Sequence, residues 1–190
     1  MWTARIVLLA LMLLLFGGWF DAALPKWKKR ALLVFLPVVF GVTFIPTLRT
    51  PSVRLCFAPC AFALLCAILC PTEQPFAALA AMGLGGTVGW KLCDALPLFP
   101  EQGLLVALPT LVIATLYCRD GNAKALAVAG APFVMLLLRM IGDFILFKSA
   151  VLELGTEDTL AAQAIGSALL LIGGAVALRL QTVRGRLRAA

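Results

Sequence analysis

Residues 76–99 read FAALAAMGLGGTVGWKLCDALPLF, and this stretch decides the class of fold. It is almost entirely apolar and long enough for a helix to cross a bilayer, which takes about 20 residues. The whole chain shares this character, since 63% of its 190 residues are hydrophobic and only 13% are charged. A soluble domain carries about 25% charged residues and could not bury so much apolar surface. We therefore expect an all-α, multi-pass membrane protein.

Seven apolar segments follow one another along the chain, separated by short connections that combine charge with proline or glycine. The predicted spans are residues 6–24, 31–48, 53–70, 76–99, 103–118, 125–148 and 160–180. The third and fifth are the shortest and contain Pro59 and Pro109, which leaves open whether they cross fully. No connection is long enough for a separate domain, so residues 1–190 are expected to form a single integral membrane domain.

Basic residues predict the orientation of this helix bundle, because Lys and Arg accumulate on the cytoplasmic side of membrane proteins. With the N-terminus outside and the C-terminus cytoplasmic, ten of the 16 basic residues lie inside and four outside, Lys148 among the four. The first apolar segment is followed by KWKKR and has a poor cleavage site, so we interpret it as a retained span. The expected location is the bacterial plasma membrane.

Two predicted spans carry charges. Lys91 and Asp94 lie on one face of the fourth span together with Thr87, and Arg139 and Asp143 share a face of the sixth. All four charges fall at similar depth and sum to zero. Because isolated charges are costly in lipid, we expect them to pair inside the bundle, with the fourth and sixth helices central and adjacent. This charge cluster is either a polar binding site or a structural clamp.

Glycines predict where helices approach closely. Gly85, Gly86 and Gly89 fall opposite the charged face of the fourth span, and the GxxxG spacing of Gly85 and Gly89 is typical of tight helix pairs in membranes. In the last span Gly166 and Gly173 belong to similar pairs of small residues. These five glycines are predicted to serve helix packing.

The sequence offers no catalytic set, metal site or cofactor motif. The chain has no histidine, and Cys56, Cys60, Cys66 and Cys70 share a helical face in a pattern that favours packing over a zinc site. The net charge of +7 has no accompanying aromatic pattern, which excludes nucleic acid as a partner.

Three functional hypotheses remain from the sequence. The favoured one is a non-enzymatic membrane component that acts through a partner, either another membrane protein or a second copy of the chain. The first alternative is a small transporter or channel that uses the intramembrane charge cluster. The second alternative is a lipid-modifying membrane enzyme, for which no set of acids or nucleophiles can be assembled. In all three the lipid bilayer is the surrounding medium.

Overall fold

The computed structural model describes residues 2–50, 53–147 and 151–189, with residues 185–189 described by their backbone alone. Seven helices dominate this part of the chain, in the order that the sequence predicts. They are α1 Trp2–Phe16, α2 Lys26–Val42, α3 Phe57–Leu69, α4 Pro75–Ala95, α5 Gln102–Tyr117, α6 Gly121–Phe147 and α7 Glu157–Ala189. Three short strands complete the described elements: β1 Leu48–Arg49, β2 Val53–Leu55 and β3 Leu152–Leu154.

Length and hydropathy separate six of the seven described helices into two groups. Helices α4, α6 and the Glu157–Arg184 part of α7 are long and apolar enough to cross a membrane, with 21, 27 and 28 residues. Helices α1, α3 and α5 are apolar but have only 15, 13 and 16 residues. Three apolar helices of spanning length indicate a membrane-associated protein.

Several helix boundaries differ from the predicted spans for local reasons. The first helix ends at Phe16, before 24, because Gly17 and Gly18 follow and Gly18 has a φ of +74° that ends regular α-structure. The fourth ends at Ala95, ahead of Pro97, instead of reaching 99. The sixth begins at Gly121, and its predicted end at Lys148 lies outside the described residues.

A small sheet of three short strands accompanies the helices, and the fold is all-helical as predicted. Strand β2 pairs antiparallel with β1 and parallel with β3, so that Arg54 lies beside Glu153 in the register. The predicted third span, 53–70, therefore begins as a strand and continues as the 13-residue helix α3. Two- and three-residue strands carry too little pattern to be found from sequence, and β3 comes from about 100 positions further along the chain.

Hydrogen bonds between distant connections define two polar ends of the bundle. At one end the Thr3 hydroxyl donates to Glu101 at 2.5 Å, and Arg5 Nε donates to Thr43 Oγ1 at 3.1 Å. At the other end Lys28 Nζ donates to Asn122 Oδ1 at 2.6 Å. Consecutive helices thus run in opposite directions. We call the two ends the Glu101 end and the Asn122 end.

Helix packing places α6 and α7 at the centre of the bundle. Helix α7 packs against α1, α3, α5 and α6, and α6 packs against α3, α4, α5 and α7. Helix α4 is adjacent to α6, as expected, but its main contacts among the described residues are with α5 and α6 alone. The expectation that α4 is central is therefore wrong: it is an edge helix, and one of its faces points away from the protein.

Candidate functional site

The predicted charge cluster does not form one buried network. On α4, Thr87, Lys91 and Asp94 share a face as predicted, but all three are exposed. Thr87 Oγ1 donates to the Gly83 carbonyl one turn earlier at 2.8 Å, and the Lys91 ammonium lies 4.2 Å from the centroid of the Trp90 ring. Within the described part of the chain, Asp94 has no ion-pair partner.

Arg139 and Asp143 lie elsewhere, on the exposed side of α6 near its end. Both line a 580 Å³ cavity that also includes Arg54 and Glu153, whose side chains form an ion pair at 3.0 Å. The structure therefore groups the α6 charges with the small sheet at the Glu101 end. Lys91 and Asp94 are not part of this cavity.

Glycine packing explains why the charged face of α4 turns outward. A Cβ added at Gly85 would lie 2.6 Å from Thr110 Oγ1 on α5, and one at Gly86 would lie 2.7 Å from the Ala131 carbonyl on α6. Gly89 faces Val106 at 3.1 Å. The glycine face is thus occupied by α5 and α6, and the charged face on the opposite side has no room inside the bundle.

The two glycines of α7 that are predicted to serve helix packing, Gly166 and Gly173, have different surroundings. A Cβ at Gly166 would come within 2.4 Å of Val128 Cγ1 on α6, so this glycine allows a close helix contact. At Gly173 an added Cβ would meet no atom within 4 Å, and the same is true of Gly174. Gly173 and Gly174 instead line a large cavity, so the prediction that Gly173 serves helix packing is wrong for the described structure.

That cavity has a volume of 710 Å³ and extends to the Asn122 end. Its walls come from α1, α2, α3, α5, α6 and α7, and leucine is their commonest residue. Ligand sites for small molecules usually enclose about 300–1,000 Å³ with mostly apolar walls and a few polar groups. We call this space the inner cavity, and its size and lining match such sites.

Two lysines and one asparagine mark the polar end of the inner cavity. Lys28 is near the start of α2, and Lys124 and Asn122 are in the first turn of α6. Asn122 is fixed at both ends of its amide, because Nδ2 donates to the Pro71 carbonyl at 2.7 Å and Oδ1 accepts from Lys28. Neither lysine forms an ion pair within the described residues. The inner cavity thus ends at two ammonium groups.

A polar atom without a partner lies deeper in the inner cavity. Ser167 lines the cavity from α7, and its Oγ is buried with no hydrogen-bond partner in the described structure. One turn earlier on α7, Gln163 is fully buried. Its Nε2 donates to the Ala129 carbonyl at 2.8 Å, while its Oε1 has no partner among the described residues. Buried polar groups nearly always bind a partner. Ser167 Oγ and Gln163 Oε1 are therefore open hydrogen-bonding positions on one face of α7.

The sequence did not point to the inner cavity, because its wall residues come from six helices and resemble lipid-facing positions. In the sequence, Lys28 and Lys124 indicate only the orientation of the helices, and Ser167 belongs to no recognisable pattern. Among the described residues no group of three or more histidine, cysteine or acidic side chains could hold a metal ion. The six cysteines are free thiols in the structure.

Comparison with protein families, curated proteins and solved structures finds no match to this chain. Its function must therefore be argued from the cavities and charges themselves.

Proposed function

We propose that this protein is a non-enzymatic, multi-pass membrane protein that binds an anionic membrane lipid in the inner cavity. The observation that carries the proposal is the combination of a 710 Å³ apolar space with two lysines at one end that form no ion pair within the described residues. In the proposed orientation all seven helices cross the membrane and the N-terminus is outside. The Asn122 end then faces the cytoplasm, because the basic segment 26–30 and Lys124 lie there.

The shape of the inner cavity favours an amphiphile over a small polar solute. Ser167 lies about 15 Å along α7 from Ala177, the cavity residue nearest the end of that helix. A fatty chain could lie along this distance against the leucines of α1, α2 and α3. Near the opening, Gly173 and Gly174 are exposed and leave the wall without side chains, which gives a lipid chain lateral access.

The polar groups favour an anionic headgroup. Lys28 and Lys124 would each place an ammonium beside a phosphate, and Asn122 holds Lys28 in position through its Oδ1. Lysine binds phosphate as a point charge and attracts anionic lipid with about 1 kcal/mol per residue near a membrane surface. The Ser167 hydroxyl could donate to an ester carbonyl deeper in the cavity, which would satisfy its unpaired oxygen.

The test measures lipid preference. The protein is reconstituted into nanodiscs of equal parts phosphatidylglycerol and phosphatidylcholine, extracted in mild detergent, and analysed by native mass spectrometry for retained lipid. Wild-type protein should retain phosphatidylglycerol in preference. The K28Q/K124Q variant removes two charges, so its preference should fall by about 30-fold, from about 2 kcal/mol in total.

A matched control separates the cavity from general surface charge. The K26Q/R30Q variant makes the same change in net charge as K28Q/K124Q. Both of its substitutions lie in the basic segment 26–30 that contains Lys28, but neither residue lines the inner cavity. It should keep the wild-type preference. Equal losses in the two double variants, or a wild-type protein that retains no phosphatidylglycerol, would contradict the proposal.

Transport is the second candidate function, and the 580 Å³ cavity of Arg54, Arg139, Asp143 and Glu153 favours it. This charged cavity and the inner cavity lie at opposite ends of α6, since Lys124 and Arg139 are separated by 15 residues, or about 23 Å. A lipid moved between the leaflets would meet a polar site at each end. A fluorescent phosphatidylglycerol in vesicles tests this: protein-dependent movement between leaflets that R139Q/D143N abolishes supports transport, and no such movement refutes it.

A further inference from the structure

The outward face of α4 carries a regular stripe of exposed residues. Their spacing alternates between four and three positions, which is the spacing of the a and d positions in a coiled coil. The residues of the α4 stripe are Ala80, Leu84, Thr87, Lys91 and Asp94, and all five are exposed. The opposite face of α4 packs against α5 and α6 through Gly85, Gly86 and Gly89. The stripe is thus a complete helix-pairing surface with no partner within the described chain.

Charge makes this surface unusual. Thr87 is satisfied within its own helix, since its hydroxyl donates to the Gly83 carbonyl. Lys91 and Asp94 place one cation and one anion on an exposed helix face, and in the described structure neither forms an ion pair. Charged side chains within membrane helices almost always pair with one another or face a polar interior. Among the described residues, the group that faces the Lys91 ammonium is the ring of its neighbour Trp90.

The two charges complement a second copy of the same surface. Lys91 and Asp94 are three residues apart and thus about 60° apart around the helix, one on each side of the midline of the stripe. A two-fold axis parallel to the helices brings the left side of one copy opposite the right side of the other. Lys91 of each copy then faces Asp94 of its partner. The contact is neutral, and the symmetric interface contains two ion pairs in which each charge is paired once.

We propose that the protein forms a two-fold symmetric homodimer through the α4 stripe, with reciprocal Lys91–Asp94 ion pairs between the two copies. The inner cavity does not contribute to this surface, because α4 is the one helix of the seven that provides none of its lining residues. Dimerisation and lipid binding are therefore separable. A dimer would also cover Leu84 and Val88, which are 44% and 39% exposed in the single chain.

Charge reversal tests the pairing. Self-association is measured in vesicles of phosphatidylcholine and phosphatidylglycerol, by energy transfer between labelled copies over a range of protein-to-lipid ratios. K91D places four acids at the interface and D94K places four lysines, so each should weaken self-association about tenfold or more. The double variant K91D/D94K restores opposite charges with their positions exchanged, and it should recover most of the association.

Two controls keep the result interpretable. R139D and D143K reverse charges that also lie one turn apart on an exposed helix face, but on α6, and they should leave self-association unchanged. Independently of charge, a photoreactive benzoylphenylalanine at Leu84 should cross-link two copies of the purified protein. The same residue at Leu137, which is 50% exposed on α6, should not.

A wild-type protein that stays monomeric at every ratio would overturn the proposal, and so would a dimer that neither single reversal weakens. Failure of K91D/D94K to recover association would also refute the reciprocal pairing if its circular dichroism matches wild type. Cross-linking from Leu137 in place of Leu84 would assign the dimer to another face.

Discussion

Replacing Gly86 with alanine tests the packing that turns the charged face of α4 outward. The added methyl group would lie 2.7 Å from the Ala131 carbonyl oxygen and 2.9 Å from Val134 Cβ, both on α6. Favourable contacts between such atoms lie at about 3.5–4.0 Å, so α4 and α6 would have to separate by roughly 1 Å. Forcing an extra methyl into a packed interface usually costs about 1–3 kcal/mol.

The higher helix propensity of alanine stabilises the G86A variant and partly offsets this steric cost. A control variant is therefore needed that has the same gain in helix propensity without the steric cost. Alanine is favoured over glycine in a helix interior by about 1 kcal/mol, whether or not the site is crowded. Gly83 provides the matched control, because it lies in the same helix and an added Cβ there meets no atom within 4 Å. The difference between G86A and G83A therefore isolates the steric cost, which we expect to be about 1–3 kcal/mol.

The assay is unfolding of the purified protein in mixed micelles by increasing sodium dodecyl sulfate, followed by circular dichroism. G83A should be at least as stable as wild type, and G86A should be the less stable of the two. Equal unfolding midpoints for G86A and G83A would refute the close approach of α4 and α6 at this position. The outward orientation of Lys91 and Asp94 would then lose its structural basis.

Two further substitutions test the polar groups of α6 and α7 by the same unfolding assay. Gln163→Leu removes the buried hydrogen bond to the Ala129 carbonyl and should lower the free energy of unfolding by about 1 kcal/mol. Gln181→Leu, at an exposed position of the same helix, should not lower it. Equal effects of the two substitutions would contradict the role of the buried hydrogen bond. Asp143→Asn should change the free energy of unfolding by less than about 0.5 kcal/mol, because Asp143 is exposed and has no ion-pair partner in the described structure. A loss of several kcal/mol would instead indicate the buried pairing with a cation that the sequence predicts.

The helices could be predicted from sequence because each is a long apolar run bounded by charge, proline or glycine. The common face of Thr87, Lys91 and Asp94 could also be predicted, since helical periodicity fixes it. The direction of that face could not be predicted in the same way. Both faces of α4 are largely apolar, and only the partners of Gly85, Gly86 and Gly89 show which side packs against protein.

The inner cavity illustrates a different limit of sequence reasoning. A cavity is defined by the atoms that are missing between helices, and its walls come from positions far apart in the chain. Lys28 and Asn122 are separated by 94 residues but joined by one hydrogen bond. Leucines that surround an empty space and leucines that face lipid obey the same periodicity, so composition cannot distinguish them.

The central claim is that the inner cavity holds one anionic lipid, and the most direct measurement counts that lipid on two matched variants. Gly173→Phe places a ring in the open space of the inner cavity, whereas Gly41→Phe adds the same ring to α2 at another position where an added Cβ meets no atom within 4 Å. Both proteins are extracted gently from their own membrane and analysed by native mass spectrometry. We expect one anionic lipid per chain on wild type and on the Gly41 variant, and none on the Gly173 variant. Equal lipid on all three proteins, or none on wild type, would contradict the proposed function.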